Sequence, residues 1–284
     1  MSAFIAMLAL GCGAGNVDGT EARSSFFSRP ALLGAHRGGA GWMPENTLRT
    51  FQASAERWPD IVLETDVHLS ADGVAVLLHD DTLERTTNGT GRPGDMTLTE
   101  LQALDAGYRF TTDAGATYPC RGQGFRIPTL EEVLDAPPNS RFIIELKDQP
   151  GVAEAVAEVI QKTGASHRVV VGSYHSEHAN RFAEIAPGVA RCFTLEEGLA
   201  MLAALREGGW DAYQPAAPVL AADIETFDSL DFTAEEVAAV RGKGIYLQLY
   251  VLNTPEKIRE VLDRGVDCIL TDYPELLETV LRQD

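Results

Sequence analysis

An α/β chain closed into a (β/α)8 TIM barrel is the fold this sequence predicts, and three observations predict it. Short apolar runs alternate eight times with segments that carry helix caps. The runs are apolar at consecutive positions, as expected of parallel strands covered by helices on both faces. The chain has 284 residues, a length at which such barrels fold as one domain. A doubly wound open sheet can use the same eight units without closing; of the two, the barrel is favoured.

The first strand is residues 32–37, followed by a helix over 46–57 entered through Pro44-Glu45-Asn46, with Asn46 as its cap. The second strand is 61–69. Ala71-Asp72-Gly73 then turns the chain, and 74–78 runs back as a short strand. Residues 82–127 break the rhythm. Rich in Thr, Gly and Asp, with a helical patch near 97–104, they read as an insertion after the second strand. The rhythm resumes with a capping box, Thr129 and Glu132, and a short helix. Strands follow at 141–147, 168–174, 189–193, 211–214, 245–252 and 268–271. Helices over 152–162 and 177–185 lie between them, as do helices capped by Thr194 with Glu197 and Thr233 with Glu236. Asn253 with Glu256 caps another, with Pro255 in its first turn, and the last helix covers 274–282.

Composition narrows the function. Apolar content of 45% and charged content of 23% are ordinary for a globular enzyme. A net charge of −19 argues against nucleic acid, which needs a basic face, and against adsorption to anionic lipid. An anionic substrate would have to be met by local cations. Of four cysteines, Cys192 and Cys268 lie in apolar runs and read as inert core thiols, and no pair has zinc-ligand spacing. Ser2 to Leu10 is apolar but too short to span a bilayer, and it ends at Leu10-Gly11-Cys12. That pattern is similar to the end of a bacterial lipoprotein signal, although the basic n-region is missing. The expectation is a leader and flexible tail over 1–28, with Cys12 as a membrane tether, and a barrel domain over 29–284. Export to the periplasm or cell envelope follows if the leader functions; without it the protein is cytoplasmic.

The chemistry collects where strands end. In the second strand Glu64, Asp66 and His68 share one face, the carboxylates about 7 Å apart along the strand. The bland alternative is an amphipathic hairpin with a solvated acidic face. Other strand ends add His36-Arg37, Glu145-Leu146-Lys147, Tyr174, Gln214, Tyr250, Asn253 and Asp272, and the hairpin ends in His79-Asp80. Charged groups at buried strand ends are costly unless paired or metal-bound, so the competing reading is a rim of structural ion pairs. Glu64, Asp66 and Glu145 are hard oxygen ligands suited to Mg2+ or Ca2+. Arg37 and Lys147 suit a phosphoryl group, one as a fork and one as a point charge. His36 and His79 can serve as acid and base. Of the remaining histidines, His175 follows the fourth strand, with lining the pocket its less favoured reading, His68 lies at the rim, and His167 and His178 read as surface residues. Trp42 is placed at the mouth; Trp58 and Trp210 read as packing.

At these residues the sequence resembles the glycerophosphodiester phosphodiesterase family. The resemblance is carried by His36-Arg37-Gly38-Gly39 with Pro44-Glu45-Asn46-Thr47, then Glu64-Thr65-Asp66-Val67, Asp72-Gly73 and His79-Asp80. Arg85-Thr86-Thr87-Asn88-Gly89, Ile144-Glu145-Leu146-Lys147 and Leu270-Thr271-Asp272-Tyr273-Pro274 complete the ordered set. Each motif alone is weak; their order and spacing are specific. The resemblance implies a barrel with an insertion over about 82–127 and a small-molecule glycerophosphodiester substrate cleaved to glycerol 3-phosphate and an alcohol. It also implies a divalent metal on Glu64, Asp66 and Glu145, His36 and His79 as acid and base, and Arg37 and Lys147 on the phosphate. The glycerol 2-hydroxyl would attack to give a cyclic phosphate that water opens. The family often has Trp where this chain has Tyr250, on the alcohol side of the site. Two further functions compete: a phospholipase D-like enzyme on lysophospholipid or sphingomyelin, and an inactive, surface-tethered binding barrel. An apolar lip in 82–127 would mark the first, and loss of a histidine or carboxylate the second; that segment is polar and no such residue is lost.

Overall fold

The computed structural model describes residues 26–27, 33–137 and 139–283; of the expected leader and tail, residues 1–25, Cys12 among them, and residue 28 lie outside these. The strands are β1 (Leu33–Ala35), β2 (Val62–Leu69), β3 (Ala75–Leu77), β4 (Arg141–Leu146) and β5 (Val169–Gly172), then β6 (Ala190–Arg191), β7 (Val219–Asp223), β8 (Tyr246–Tyr250) and β9 (Cys268–Thr271). They hydrogen-bond in the order β6-β5-β4-β2-β1-β9-β8-β7, with β3 antiparallel on β2. All other pairings are parallel. One parallel bridge, Cys192 to Val219, joins the two ends of this order and nearly closes the eight-stranded barrel.

Inside the barrel, Val62, Ile143, Val170, Cys192, Val219, Cys268 and Leu270 pack as one cluster together with Phe26. Burial pushes both thiols, Cys192 and Cys268, up to about 12, so they are inert as expected. Gly34 lets β1 approach β9, because a Cβ there would stand 2.5 Å from the Leu270 side chain. Strand parity continues this inward face toward the strand ends: Val62 is followed by Glu64 and Asp66, and Ile143 by Glu145.

The outer faces meet helices α1 (Leu48–Arg57), α3 (Leu130–Asp135), α4 (Val152–Lys162) and α5 (Ser176–Ile185) on one side of the barrel. On the other side are α6 (Leu195–Glu207), α7 (Ile224–Ser229), α8 (Ala234–Gly242), α9 (Pro255–Asp263) and α10 (Pro274–Leu281). Between them, α2 (Leu98–Gln102) belongs to the segment after β3. Capping boxes at Thr129, Thr194 and Thr233 form as read from the sequence. Residues 82–127 make a small core of their own, in which Leu83, Leu101, Ala106, Phe125 and Ile127 pack on Val76 and Leu78. Arg49 of α1 holds this segment, its guanidinium 4.2 Å from the Phe125 ring centre and bonded to the Gln123 carbonyl at 2.6 Å.

Several elements differ from expectation. Residues 211–214 are no strand. Gly208 and Gly209 have positive φ, a 3-10 turn runs over Trp210–Ala212, and Trp210 stacks on Tyr213. The strand is Val219–Asp223, five residues later, made by its ladder with β8. Asn46 does not cap the first helix; Thr47 does, accepting from the Thr50 N–H. Likewise Thr254, not Asn253, caps α9. Trp42 does not wall the mouth but packs edge-on against Trp58, ring centres 5.4 Å apart.

Candidate active site

Register builds the acidic centre. Asp66 of β2 lies opposite Glu145 of β4, and Glu64 precedes Asp66 by two on the same face. Carboxylate oxygens of all three come within 4.8 Å of one another. Lys147 Nζ reaches between two of them, 2.8 Å from Asp66 Oδ1 and 2.6 Å from Glu145 Oε1. The three acids do not share this neutralisation equally. Burial, then the charges of Asp66 and Glu145, push the Glu64 carboxyl up to about 8. Burial acts against Asp66 too, but Lys147, His79 and Arg37 outweigh it and hold its carboxyl below the usual range. Three hard oxygen donors with less cationic charge than they need suit a divalent cation such as Ca2+ or Mg2+.

The loop after β1 brings a second set of groups. Arg37 has φ 53°, and this left-handed turn aims its backbone N–H at Glu64 Oε2, 2.8 Å away. Its Nε is buried, makes no hydrogen bond among the described residues and lies 3.7 Å from Asp66 Oδ2. Its Nη1 donates to Glu45 at 3.1 Å. His36 bonds Asp272 Oδ1 through Nδ1 at 2.7 Å, and its Nε2 stands 4.0 Å from Glu64. Burial opposes protonation of His36, but the Asp272 hydrogen bond and the Glu64 charge outweigh burial and raise its pKa above the ordinary histidine value. Asn253 in turn donates to Asp272 Oδ2 at 2.7 Å.

His79, at the end of the hairpin, bonds Asp80 Oδ1 through Nδ1 at 2.7 Å. Across the mouth, the hydroxyls of Tyr174 and Tyr250 are 2.6 Å apart, and burial raises the Tyr250 phenol. All eight candidate residues therefore belong to the strand-end face: Glu64, Asp66, Glu145, Arg37 and Lys147 in direct contact, His36 against Glu64, His79 near Asp66, and Tyr250 at the side.

Other expected residues lie elsewhere. His68 is buried against Gln149 at 3.1 Å, and burial lowers its pKa, so it is a packed neutral imidazole. His175 is exposed at the start of α5 rather than lining the pocket, and His178 bonds Asp148 at 3.1 Å. Sequence reasoning missed the supporting residues. Asn46, at φ 52°, donates to Asp66 Oδ2 at 2.9 Å and accepts from Thr65, so it positions an acid instead of capping a helix. Asp272 and Asn253 were visible as strand-end polar residues, but nothing local tied them to His36.

A family model described as the glycerophosphoryl diester phosphodiesterase family matches residues 36–276. A glycerophosphodiester phosphodiesterase of Caldanaerobacter subterraneus is 31% identical over 258 residues, covering 89% of this chain and 98% of that protein. A human lysophospholipase D is 26% identical over 273 residues, covering 87% of this chain and 85% of that protein. The glycerophosphoryl diester phosphodiesterase domain of a Mycobacterium tuberculosis protein superposes with a TM-score of 0.75 at 24% identity, covering 90% of this chain and all 100% of the domain. An Oleispira antarctica phosphodiesterase, solved with the product sn-glycerol-3-phosphate, has a TM-score of 0.70 at 25% identity and covers 90% of this chain and 98% of its own.

Proposed function

The chain belongs to the glycerophosphoryl diester phosphodiesterase family and hydrolyses glycerophosphodiesters, and we propose that it does so with a divalent cation on Glu64, Asp66 and Glu145 and with His36 and His79 as acid and base. The observation that carries this reading is the carboxylate trio within 4.8 Å, flanked by two imidazoles each held at Nδ1 by an aspartate. Ca2+ or Mg2+, when bound, supplies Lewis-acid stabilisation of charge growing on the phosphoryl oxygens.

The protein's own groups do the rest. The unbonded N–H of Arg37 Nε and the ammonium of Lys147 bind the phosphoryl oxygens. Asp272 and Asp80 accept from Nδ1 of their histidines, which leaves each Nε2 for proton transfer. One ring takes the proton of the attacking glycerol hydroxyl; the other protonates the leaving alcohol. A cyclic phosphate forms, and water opens it with the two roles reversed, giving glycerol 3-phosphate, the product found in the Oleispira antarctica enzyme. Tyr250, tied to Tyr174, flanks the alcohol.

The test is hydrolysis of a panel of glycerophosphodiesters in excess chelator, then with Ca2+ or Mg2+ restored. Activity should vanish and return. Full turnover in chelator refutes the metal assignment.

A second reading, lysophospholipid as substrate, is favoured by three exposed apolar side chains and by the human relative's name. Tyr174, Leu195 and Leu199 are exposed by 66%, 69% and 58%, and a 2.6 Å bond from Ser176 to Glu196 ties their elements together. Leu195 and Leu199 belong to α6 and Tyr174 precedes α5, so these exposed side chains lie outside 82–127, where the sequence reading looked for an apolar lip. Including a lysophospholipid in the panel separates the two readings. For the inactive barrel there is no support, since both histidines and all three carboxylates are present. We further propose export through the apolar leader with Cys12 as tether; recovery of the native protein wholly in the cytoplasm with Cys12 unmodified would overturn it.

A further inference from the structure

We infer that Arg85, in the segment after β3, is a positioning residue for the reaction, coupling His79 to Arg37 through two carboxylates. The inference rests on the roles proposed above for His79 and Arg37.

One guanidinium forks to two acids at once. Arg85 Nε and Nη2 donate to Asp80 at 2.6 and 2.9 Å. Nη1 and Nη2 donate to Glu45 at 2.7 and 2.8 Å. Each acid is already committed to a group of the site. Asp80 holds His79 Nδ1 at 2.7 Å, and Glu45 accepts from Arg37 Nη1 at 3.1 Å. The chain of contacts is therefore His79, Asp80, Arg85, Glu45, Arg37. Without Arg85, Asp80 would be fixed only by its neighbour in sequence. Glu45 would keep a single partner in a half-buried position. Two paired forks fix direction as well as distance, which a Lys ammonium cannot do.

A merely structural ion pair is the competing account. Exposed pairs contribute little to stability, and Arg85 itself is exposed. What the geometry adds is aim: both partners of Arg85 are partners of groups that face the acidic centre.

The experiment uses the full chain loaded with Ca2+ or Mg2+, an alkyl glycerophosphodiester and a p-nitrophenyl diester. Arg85→Met should lower kcat by about 10²-fold, the loss that a ~1 Å misplacement causes, with a much smaller change in KM. Arg85→Lys, measured in parallel in case the Met variant folds poorly, should recover only part of the rate. In a His79→Ala background Arg85→Met should cost clearly less than in the wild type, because one of the two groups it aims is gone and only the Arg37 arm remains. Arg49→Met is the control: it loosens the same 82–127 segment without touching Asp80 or Glu45, and should leave kcat unchanged. The inference is overturned if Arg85→Met keeps the wild-type kcat, if its effect persists undiminished in the His79→Ala background, or if Arg49→Met costs as much. If His79→Ala itself keeps full activity, the assignment of His79 fails, and the inference with it.

Discussion

His36 and His79 face one acidic centre from differently built supports. His36 follows β1, whose Ala35 lies opposite Thr271 of β9, so the next residue on each strand, His36 and Asp272, meets the other by register. The ladder that closes the barrel also sets this pair, and its imidazole is only 13% exposed. His79 leaves a hairpin outside the barrel, is 35% exposed, and is held by its neighbour Asp80, which Arg85 steadies. A strand register is dry and indifferent to salt; a fork of exposed ions is neither. The comparison teaches that one fold can place two like groups by unlike physics, and that the two should respond differently to mutation, salt and acid.

The largest effects come from breaking both supports at their ends. His36→Ala and His79→Ala should each lose about 10²–10⁴-fold in kcat/KM. The double variant should be little worse than the worse single one, since the two act in one step. A p-nitrophenyl diester, whose leaving group needs little protonation, should rescue the variant that lacks the acid and not the one that lacks the base. If both single variants kept wild-type rates on an alkyl diester, the two histidines would be structural.

The next effect separates the supports. Asp272→Asn should cost on the order of 10²-fold in kcat, because its charge acts on His36 in drier surroundings where electrostatics are stronger. Asp80→Asn should cost about 10-fold, since its charge acts on His79, whose ring lies nearer water. Near 1 M salt, where charges are screened beyond about 3 Å, Asp80→Asn should differ less from the wild type, while Asp272→Asn should keep its full deficit. Equal losses at both salt levels would erase the distinction.

Acid should reveal the smallest effect. Burial works against ionised Glu45, but Arg85 and Arg37 outweigh it and hold its carboxyl below the ordinary range. Asp80, opposed by burial and held by Arg85 and His79, falls to about 2. Both folded-state values lie below the unfolded ones. The stability they contribute is therefore present above the ordinary values, 4.5 for Glu45 and 3.8 for Asp80, and is lost as pH falls through the folded values toward about 2. Arg85→Met should lower Tm by about 2–4 °C at pH 6, the shift of ~1 kcal/mol in a domain of this size, and the gap should close on acidification. A gap that stays constant down to pH 3 would show that Arg85 acts on stability by some other route.

Much of this was readable before the fold. Burial of a strand on two faces leaves an apolar run, and Thr with Glu three residues later caps a helix through contacts local to the chain, so most strands and three capping boxes lie where their residues put them. Residues 211–214 were misread because Ala-Tyr between polar residues is strand-like, while two glycines upstream wind the chain into a turn. Val219–Asp223, with two alanines and an aspartate, carries little strand signal, and it is a strand because Leu220, Ala222 and their neighbours pair with β8.

The sequence by itself determined which side chains stand at the strand ends, and hence the kind of chemistry the rim can hold, because strand parity and strand order are local properties. Only the tertiary structure decided which partner each takes. Barrel closure joins His36 to Asp272 across 236 positions, and register sets Asp66 beside Glu145. A left-handed turn at Asn46 sends an amide to Asp66 that local propensity assigns to a helix cap. Such pairings follow from the hydrogen-bond register of strands distant in the chain, and no spacing within the sequence encodes that register.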